Sequence, residues 1–421
     1  MKLMLLSFSV DPAGHAVDLA YYYQSQYLKG NIAALEGQGW TVDVFTDNAQ
    51  NLAQEEEIGR QSRIVRLAGP DGGLIPGEFT TYLSNPLAAV KKWVQERGLH
   101  YPLIQSNNWL SGWIGRQLQQ DWSLPHVHTP FSLAVGDIQT QEINRYTPLG
   151  RRIIEETKTL ALADAVVVNC PVERDAIWRR YGLRSVDVQI NPYGIDTNLF
   201  NGQGGKKTAR GRGKKVILYT GGLDGGGLQV LIEALRELLR KRPRFARTIE
   251  LWILGNPPAQ SLRESMDAQQ LGQLAHVLAY SEFVRFLGTP SPAETAGYYR
   301  TADIAVVPGA DKGMGIAALE AMASSCPVIA PRIDQLRHVV LDGETGVLVT
   351  PLDSRALAQA VERLLANAGL RKRMGERAAN WVCGGFDYQV VGKGWDRIYR
   401  EVVHKAACKQ DAKPKKSKQI C

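Results

Sequence analysis

The residues best suited to chemistry are concentrated at 310–330, ADKGMGIAALEAMASSCPVIA. A glycine-rich loop runs into a short helical pattern, and Pro327 then leads into an apolar run at Val328, Ile329 and Ala330. Leu319, Met322 and Ala323 recur at helical spacing and predict an amphipathic helix with one apolar face, Glu320 lying beside it. The first N–H groups of a helix have no intrahelical acceptor. A loop at this point, following a strand at 304–307, therefore presents free donors to an anion. The expected occupant is a small ligand carrying phosphates, with Gly315 and Ile316 at the turn. A second glycine run, GGLDGGG at 221–227, follows a strand at 216–220. Its position carries the meaning, since such spacing alone is weakly specific and glycines also serve tight strand-to-helix turns.

Other reactive types lead nowhere as definite. His128 ends a strand and reads as a structural histidine, His338 as a surface residue, and Trp109 and Trp113 as core residues one helical turn apart. The five cysteines are odd in number and include no C-x-x-C pair, which predicts unpaired thiols in a reducing, cytoplasmic setting and no metal centre.

The elements that must position these groups alternate between strand-like and helical runs, which predicts an α/β protein with parallel sheets. Strands are expected at 2–10, 41–46, 63–67, 102–105, 126–128, 165–169 and 186–190, with helices at 27–35, 109–118, 151–163 and 171–181 between them. Residues 202–215 break the pattern with five glycines and six basic residues, and read as a surface linker. The alternation restarts at 216–220, then a helix at 228–241, strands at 248–254, 283–287 and 304–307, and helices at 355–366 and 370–381. At 421 residues the chain is long enough for two domains. These are taken as 1–201 and 216–384, both doubly wound with a cleft between them, followed by a helix at 385–404 crossing back to the first domain.

Composition narrows the function. Forty-four per cent apolar and 22% charged is ordinary for a globular protein, and no run approaches the ~18 apolar residues of a membrane span. The opening MKLMLLSFSV is interrupted by Asp11 and reads as a buried strand rather than a signal peptide. The net charge of +8 sits mainly in 202–215 and in the tail 405–421, which has six lysines against one aspartate and is expected to be disordered. No aromatic residues interleave either cluster, which argues against nucleic acid and leaves the tail as a surface for a protein partner.

Several segments together resemble the retaining glycosyltransferases of family 4. They are GIAALEAMASSCPVIA at 315–330 with LDGETGVLV at 341–349, YPLIQSNNWLSGWIG at 101–115, RRIIEETKTLALADAVVVNCPVERDAIWRRYG at 151–182, NPYGIDTNLF at 191–200 and YTGGLDGGGLQVLIEAL at 219–235. The stretch 9–35, SVDPAGHAVDLAYYYQSQYLKGNIAAL, is similar to the branch of sucrose-phosphate and sucrose synthases. The resemblance implies the GT-B fold, two Rossmann-like domains with a nucleotide sugar held by the second. No cofactor or metal is implied. It places the nucleotide sugar against Glu320, Gly315, Ile316, Gly221, Gly222, Gly255 and Leu287, with Glu320 bonding the ribose.

The same comparison locates departures. The family's sugar-binding carboxylate falls on Lys312, with Asp311 one residue out of register. An ammonium donates only and cannot accept the sugar's hydroxyl bonds. The family's arginine and lysine for the diphosphate fall on Gly222 and Gly226, and its N-terminal Gly-Gly loop on Tyr22 and Tyr23. A histidine at the donor sugar falls on Phe131, two more on Gln105 and Asn107, and a later Gly-Gly turn on Asp334 and Gln335. The expectation is a UDP- or GDP-sugar hexosyltransferase with weak or lost activity; the alternative is a pseudo-glycosyltransferase serving as a binding or scaffold subunit.

Overall fold

The structure is a computed structural model, and it describes residues 1–15, 19–67, 79–137, 147–205, 213–221, 227–254, 284–307 and 315–411. The chain divides into two units, Met1–Gly194 with Tyr388–Cys421, and Ile195–Asp387. The division falls at Gly194/Ile195, ahead of 202–215, because residues 195–205 are held by the second unit. Ile195 N–H bonds the Phe386 carbonyl at 2.7 Å, and the Arg300 guanidinium bonds the Leu199 and Gly205 carbonyls.

The first unit is built on eight strands: β1 Lys2–Leu6, β2 Thr41–Asp47, β3 Glu55–Ile58, β4 Ser62–Leu67, β5 Ile104–Asn107, β6 His126–Thr129, β7 Ala165–Val168 and β8 Val188–Ile190. Their order is β3-β4-β2-β1-β5-β6-β7-β8, parallel throughout except for β3 against β4. Parallel neighbours need crossovers, and the helices Leu19–Glu36, Phe79–Glu96, Asn108–Trp122 and Pro148–Leu162 supply them. The first strand stops at Leu6, four residues before its expected end, where Ser7 and Val10 form a turn. One core joins Met4, Leu6, Phe45, Val65, Ile104 and Ile114.

Residues Tyr388–Asp411 form a single helix belonging to this unit and packed on Leu19–Glu36. The tail expected to be disordered from 405 is thus helical as far as Asp411, with Lys405 and Lys409 paired to Asp187 and Asp164; residues 412–421 lie outside the described set. The helix is seated by glycines. A Cβ on Gly30 would lie 1.8 Å from Tyr388 Cζ, and one on Gly194 would lie 2.5 Å from Tyr388 Cδ1, so the Tyr388 ring occupies a slot between two bare backbones. Its hydroxyl donates to the Gln26 carbonyl at 3.3 Å. Gly30→Val therefore expels the ring and destabilises this unit by about 2 kcal/mol. Limited proteolysis checks it, the expected result being earlier cleavage within 388–411; an unchanged digest contradicts the seating.

The second unit has six parallel strands, β9 Lys215–Thr220, β10 Ile249–Leu254, β11 Val284–Phe286, β12 Ile304–Val306, β13 Val328–Pro331 and β14 Gly346–Val349, ordered β11-β10-β9-β12-β13-β14. In the helix Gly227–Lys241, Leu228, Leu231, Ile232, Leu235 and Leu238 follow a period of 3.6 and pack on the sheet beside Leu357, Val361 and Leu364 of Ser354–Ala366. The helix Pro292–Thr301 starts with a capping box between Ser291 and Glu294. Among the described residues no helix is long and apolar enough to cross a membrane.

Candidate functional site

In an open parallel sheet, ligands gather outside the carboxyl ends of the strands, where the order reverses. In the second unit that reversal lies between β9 and β12. β9 ends at Thr220 with Gly221 beyond it, and β12 leads through 308–314 to Gly315. Gly315 is the N-cap of Ile316–Ala323 with φ of 71°, in the left-handed region that glycine adopts at little cost. A Cβ there would also come within 3.3 Å of Val339. The expected apolar stripe is a correction: all eight residues from Ile316 to Ala323 are buried, because other elements pack round the helix. One is the helix Ala368–Gly385, whose Gly375 lies against the Ser325 carbonyl.

Glu320 is thereby a carboxyl group inside an apolar helix, 7% exposed. Tyr299, from Pro292–Thr301, places its hydroxyl 3.3 Å from Glu320 Oε2 and 3.3 Å from Thr220 Oγ1. Burial pushes the Glu320 carboxyl up to about 8, with the Tyr299 hydrogen bond pulling weakly the other way. No charged side chain among the described residues offsets the burial. The group is held neutral near pH 7 and is ready to ionise when further donors arrive.

Of the residues expected to hold a nucleotide sugar, Gly221, Gly315, Ile316, Glu320 and Leu287 all belong to the carboxyl side of this sheet. Leu287 follows β11 and its N–H bonds the Ile253 carbonyl at 2.9 Å. Gly222, Gly226, Gly255, Asp311 and Lys312 lie outside the described residues. Tyr299 and Thr220 are not anticipated from the sequence. Ala296 and Tyr299 at i, i+3 read as one core face, yet a buried tyrosine usually bonds its hydroxyl, and that tendency is the available signal.

In the first unit, Phe131 follows β6 with φ of 54°, and its ring meets Tyr27 edge-on at 5.4 Å. Tyr22 and Tyr23 lie near the start of Leu19–Glu36, half-buried and edge to face at 5.4 Å. Gln105 and Asn107 are buried on β5, the Gln105 Nε2 donating to Asn107 Oδ1 at 3.1 Å. His128 is a core residue, as expected of a structural histidine. Ser106 Oγ lies 2.7 Å from His126 Nε2 and 2.8 Å from His128 Nδ1. One hydroxyl has one hydrogen, so at least one of the two ring nitrogens donates to Ser106. Burial holds both rings neutral, His128 down to about 3 and His126 well below its ordinary value, the latter helped by His128 and Arg116. Asp11, after β1, grips the fully buried Arg66 at 2.5 Å, and Arg66 also bonds Glu56 at 2.7 Å and the Ala53 carbonyl. His338 is exposed.

Two family models match the chain, one described as glycosyl transferase 4-like domain over residues 24–194 and one as glycosyl transferases group 1 over 214–367. A D-inositol 3-phosphate glycosyltransferase of Corynebacterium jeikeium is 33% identical over 387 residues, 89% of this chain and 91% of that protein. The solved sucrose-phosphate synthase of Thermosynechococcus elongatus superposes with a TM-score of 0.77 at 28% identity, covering 96% of this chain and 99% of that one. Anabaena HepE in complex with UDP and glucose gives a TM-score of 0.67 at 17% identity over 95% of this chain and 99% of its own, a likeness of fold.

Proposed function

Because the chain belongs to the GT-B glycosyltransferases of family 4, we propose that its second unit binds a nucleoside diphosphate sugar against Glu320 and that hexosyl transfer from it is slow. The observation that carries the binding half is Glu320 itself. It is a buried carboxyl on a glycine-capped helix, next to the reversal in strand order, with Tyr299 and Thr220 bonded behind it. Anabaena HepE, of the same fold and solved with UDP and glucose, supports the same ligand class.

Transfer breaks the bond between the anomeric carbon and the diphosphate, and negative charge grows on the leaving group as it breaks. Preorganised cations at that point supply much of the stabilisation in such reactions. The resemblance puts the family's arginine and lysine at Gly222 and Gly226, and its sugar-binding carboxylate at Lys312. Hydrogen bonds to charged groups contribute roughly 1.5–3 kcal/mol each. Loss of two weakens the nucleotide by about 10²–10⁴-fold, and the transition state by more.

Titration of UDP, GDP and their glucose conjugates by calorimetry tests the reading. Weakened but measurable binding with slow hydrolysis of the sugar nucleotide is the expected result, and absence of heat at millimolar ligand overturns it. Inositol 3-phosphate, for which the corynebacterial relative is named, is the acceptor to offer first.

A second reading has its own support. Phe131 stands where the family has a histidine, and its ring is packed on Tyr27 rather than offering a polar edge. On this reading the scaffold is a binding subunit of a complex, and an untagged partner co-purifies at fixed stoichiometry.

A further inference from the structure

We propose that Tyr299, backed by Thr220, positions Glu320 for a ribose diol and makes nucleoside diphosphate binding release a proton. The inference rests on the reading of Glu320 as the nucleotide contact.

Three buried side chains form a chain of hydroxyls ending on a carboxyl group: Thr220 at 2% exposure, Tyr299 at 1% and Glu320 at 7%. Tyr299 stands 3.3 Å from each neighbour and has a single hydrogen to give. When the Thr220 hydroxyl donates to the Tyr299 oxygen, the Tyr299 hydrogen goes to Glu320 Oε2, and the two bonds polarise one another in the same direction. The chain therefore fixes which carboxyl oxygen is held from behind.

Among the described residues, the surroundings of Glu320 supply nothing else that is charged. In Pro292–Thr301, Glu294 caps its own helix at Ser291 and Arg300 is bonded to the Leu199 and Gly205 carbonyls. Residues Met374, Gly375, Ala378 and Val382 of Ala368–Gly385 are buried, and its Arg371 is taken by Asp303. β13 is apolar. β9 brings Thr220 and the Tyr219 phenol, whose hydroxyl lies beside Gly221. The Cys326 thiol, at the turn after the helix, lies near the Ala302 carbonyl and is held protonated by burial.

A buried carboxyl group with one hydroxyl donor is neutral near pH 7 before a ligand binds, since burial favours the uncharged form. A ribose diol changes that balance. Its two hydroxyls are donors, a carboxylate accepts both, and a protonated carboxyl must spend one oxygen as a donor. Binding drives ionisation, and the proton leaves to solvent. By linkage, affinity rises with pH up to about 8 and is flat above it.

The test is UDP titration by calorimetry from about pH 7 to 8.5 in buffers of different ionisation enthalpy. In that range the diphosphate is already ionised, its second pKa lying near 6 as for other phosphoryl groups. The intact chain releases close to one proton per UDP at about pH 7 and only about a quarter of a proton at about pH 8.5. Glu320→Gln abolishes the release. Tyr299→Phe removes the donor, weakens UDP about tenfold at pH 7.5, and moves the rise in affinity to higher pH. Thr220→Val moves it in the same direction by less. A Tyr299→Phe chain that loses thermal stability yet binds UDP with the parent's affinity and pH profile overturns the positioning role. UDP failing to bind the intact chain overturns the nucleotide reading itself.

Discussion

Lowering the pH from about 6.5 to 4.5 destabilises the first unit by about 2 kcal/mol through His128, with His126 adding in the same direction, while leaving the strands of the second comparatively protected. The cause is the pair His126 and His128, both fully buried and both held neutral in the folded chain. An unfolded histidine takes up a proton near 6.5, whereas His128 does so only near 3. A depressed histidine pKa contributes stability that is complete above the unfolded value. That stability drains away as the pH falls between the unfolded and folded values. Each ring costs about 1.4 kcal/mol per pH unit in that window. Neither ring can escape by turning. A Cβ on Gly112 would stand 2.6 Å from the His128 ring, and one on Gly115 would stand 2.6 Å from the His126 ring, so the helix backbone is pressed against both. Amide exchange along β5 and β6, compared with β9 and β12, reads the two units separately. Equal acceleration in both sheets contradicts the assignment, and His128→Asn is expected to lessen the pH dependence.

Gly375→Ala costs the second unit about 3 kcal/mol although alanine is the better helix former. Its Cβ would fall 2.1 Å from the Ser325 carbonyl oxygen, and the obstruction is backbone rather than a side chain that can swing aside. Ser325 already has φ of 59°, so the turn has little freedom left. Overpacking of this kind costs typically about 1–3 kcal/mol, and more where backbone must move. The gain in helix propensity returns only about 1 kcal/mol. The same turn ends Ile316–Ala323, so the damage extends to the placement of Glu320, and nucleotide affinity falls together with the melting temperature. A variant that melts at or above the parent temperature contradicts the argument.

The readable parts of the fold are those in which burial and local preference agree. β9 and β10 are mainly apolar runs buried on both faces, and the Gly227–Lys241 helix repeats leucine at helical spacing. β3 is not legible. Its sequence is Glu-Glu-Glu-Ile, and it is a strand because the neighbours of those carboxylates are cationic: Arg97 and Arg63 lie at Glu55, and Arg66 at Glu56. Three charges on an edge also discourage another chain from adding to the sheet. The helix Phe79–Glu96 is equally hidden, with Pro86 inside it. At the candidate site, Glu320 and the glycine turn are legible from type and position. The Tyr299–Thr220 pair is not, because a buried hydroxyl and a buried methyl group give the same spacing along a helix.

The last helix carries a consequence for how the chain is made. Trp40, at the end of the first crossover, is completed by residues near the far terminus: its indole N–H donates to Asp396 at 2.7 Å, and its ring meets Tyr399 edge-on. Domains that fold during synthesis normally close in order as they emerge. Here the first unit waits for residues that the ribosome delivers only after the entire second unit has been made. Until then the slot at Gly30 and the face around Trp40 stand open to chaperones or to wrong partners, so the interval between synthesis of Gly194 and of Tyr388 is the vulnerable period in this protein's biogenesis.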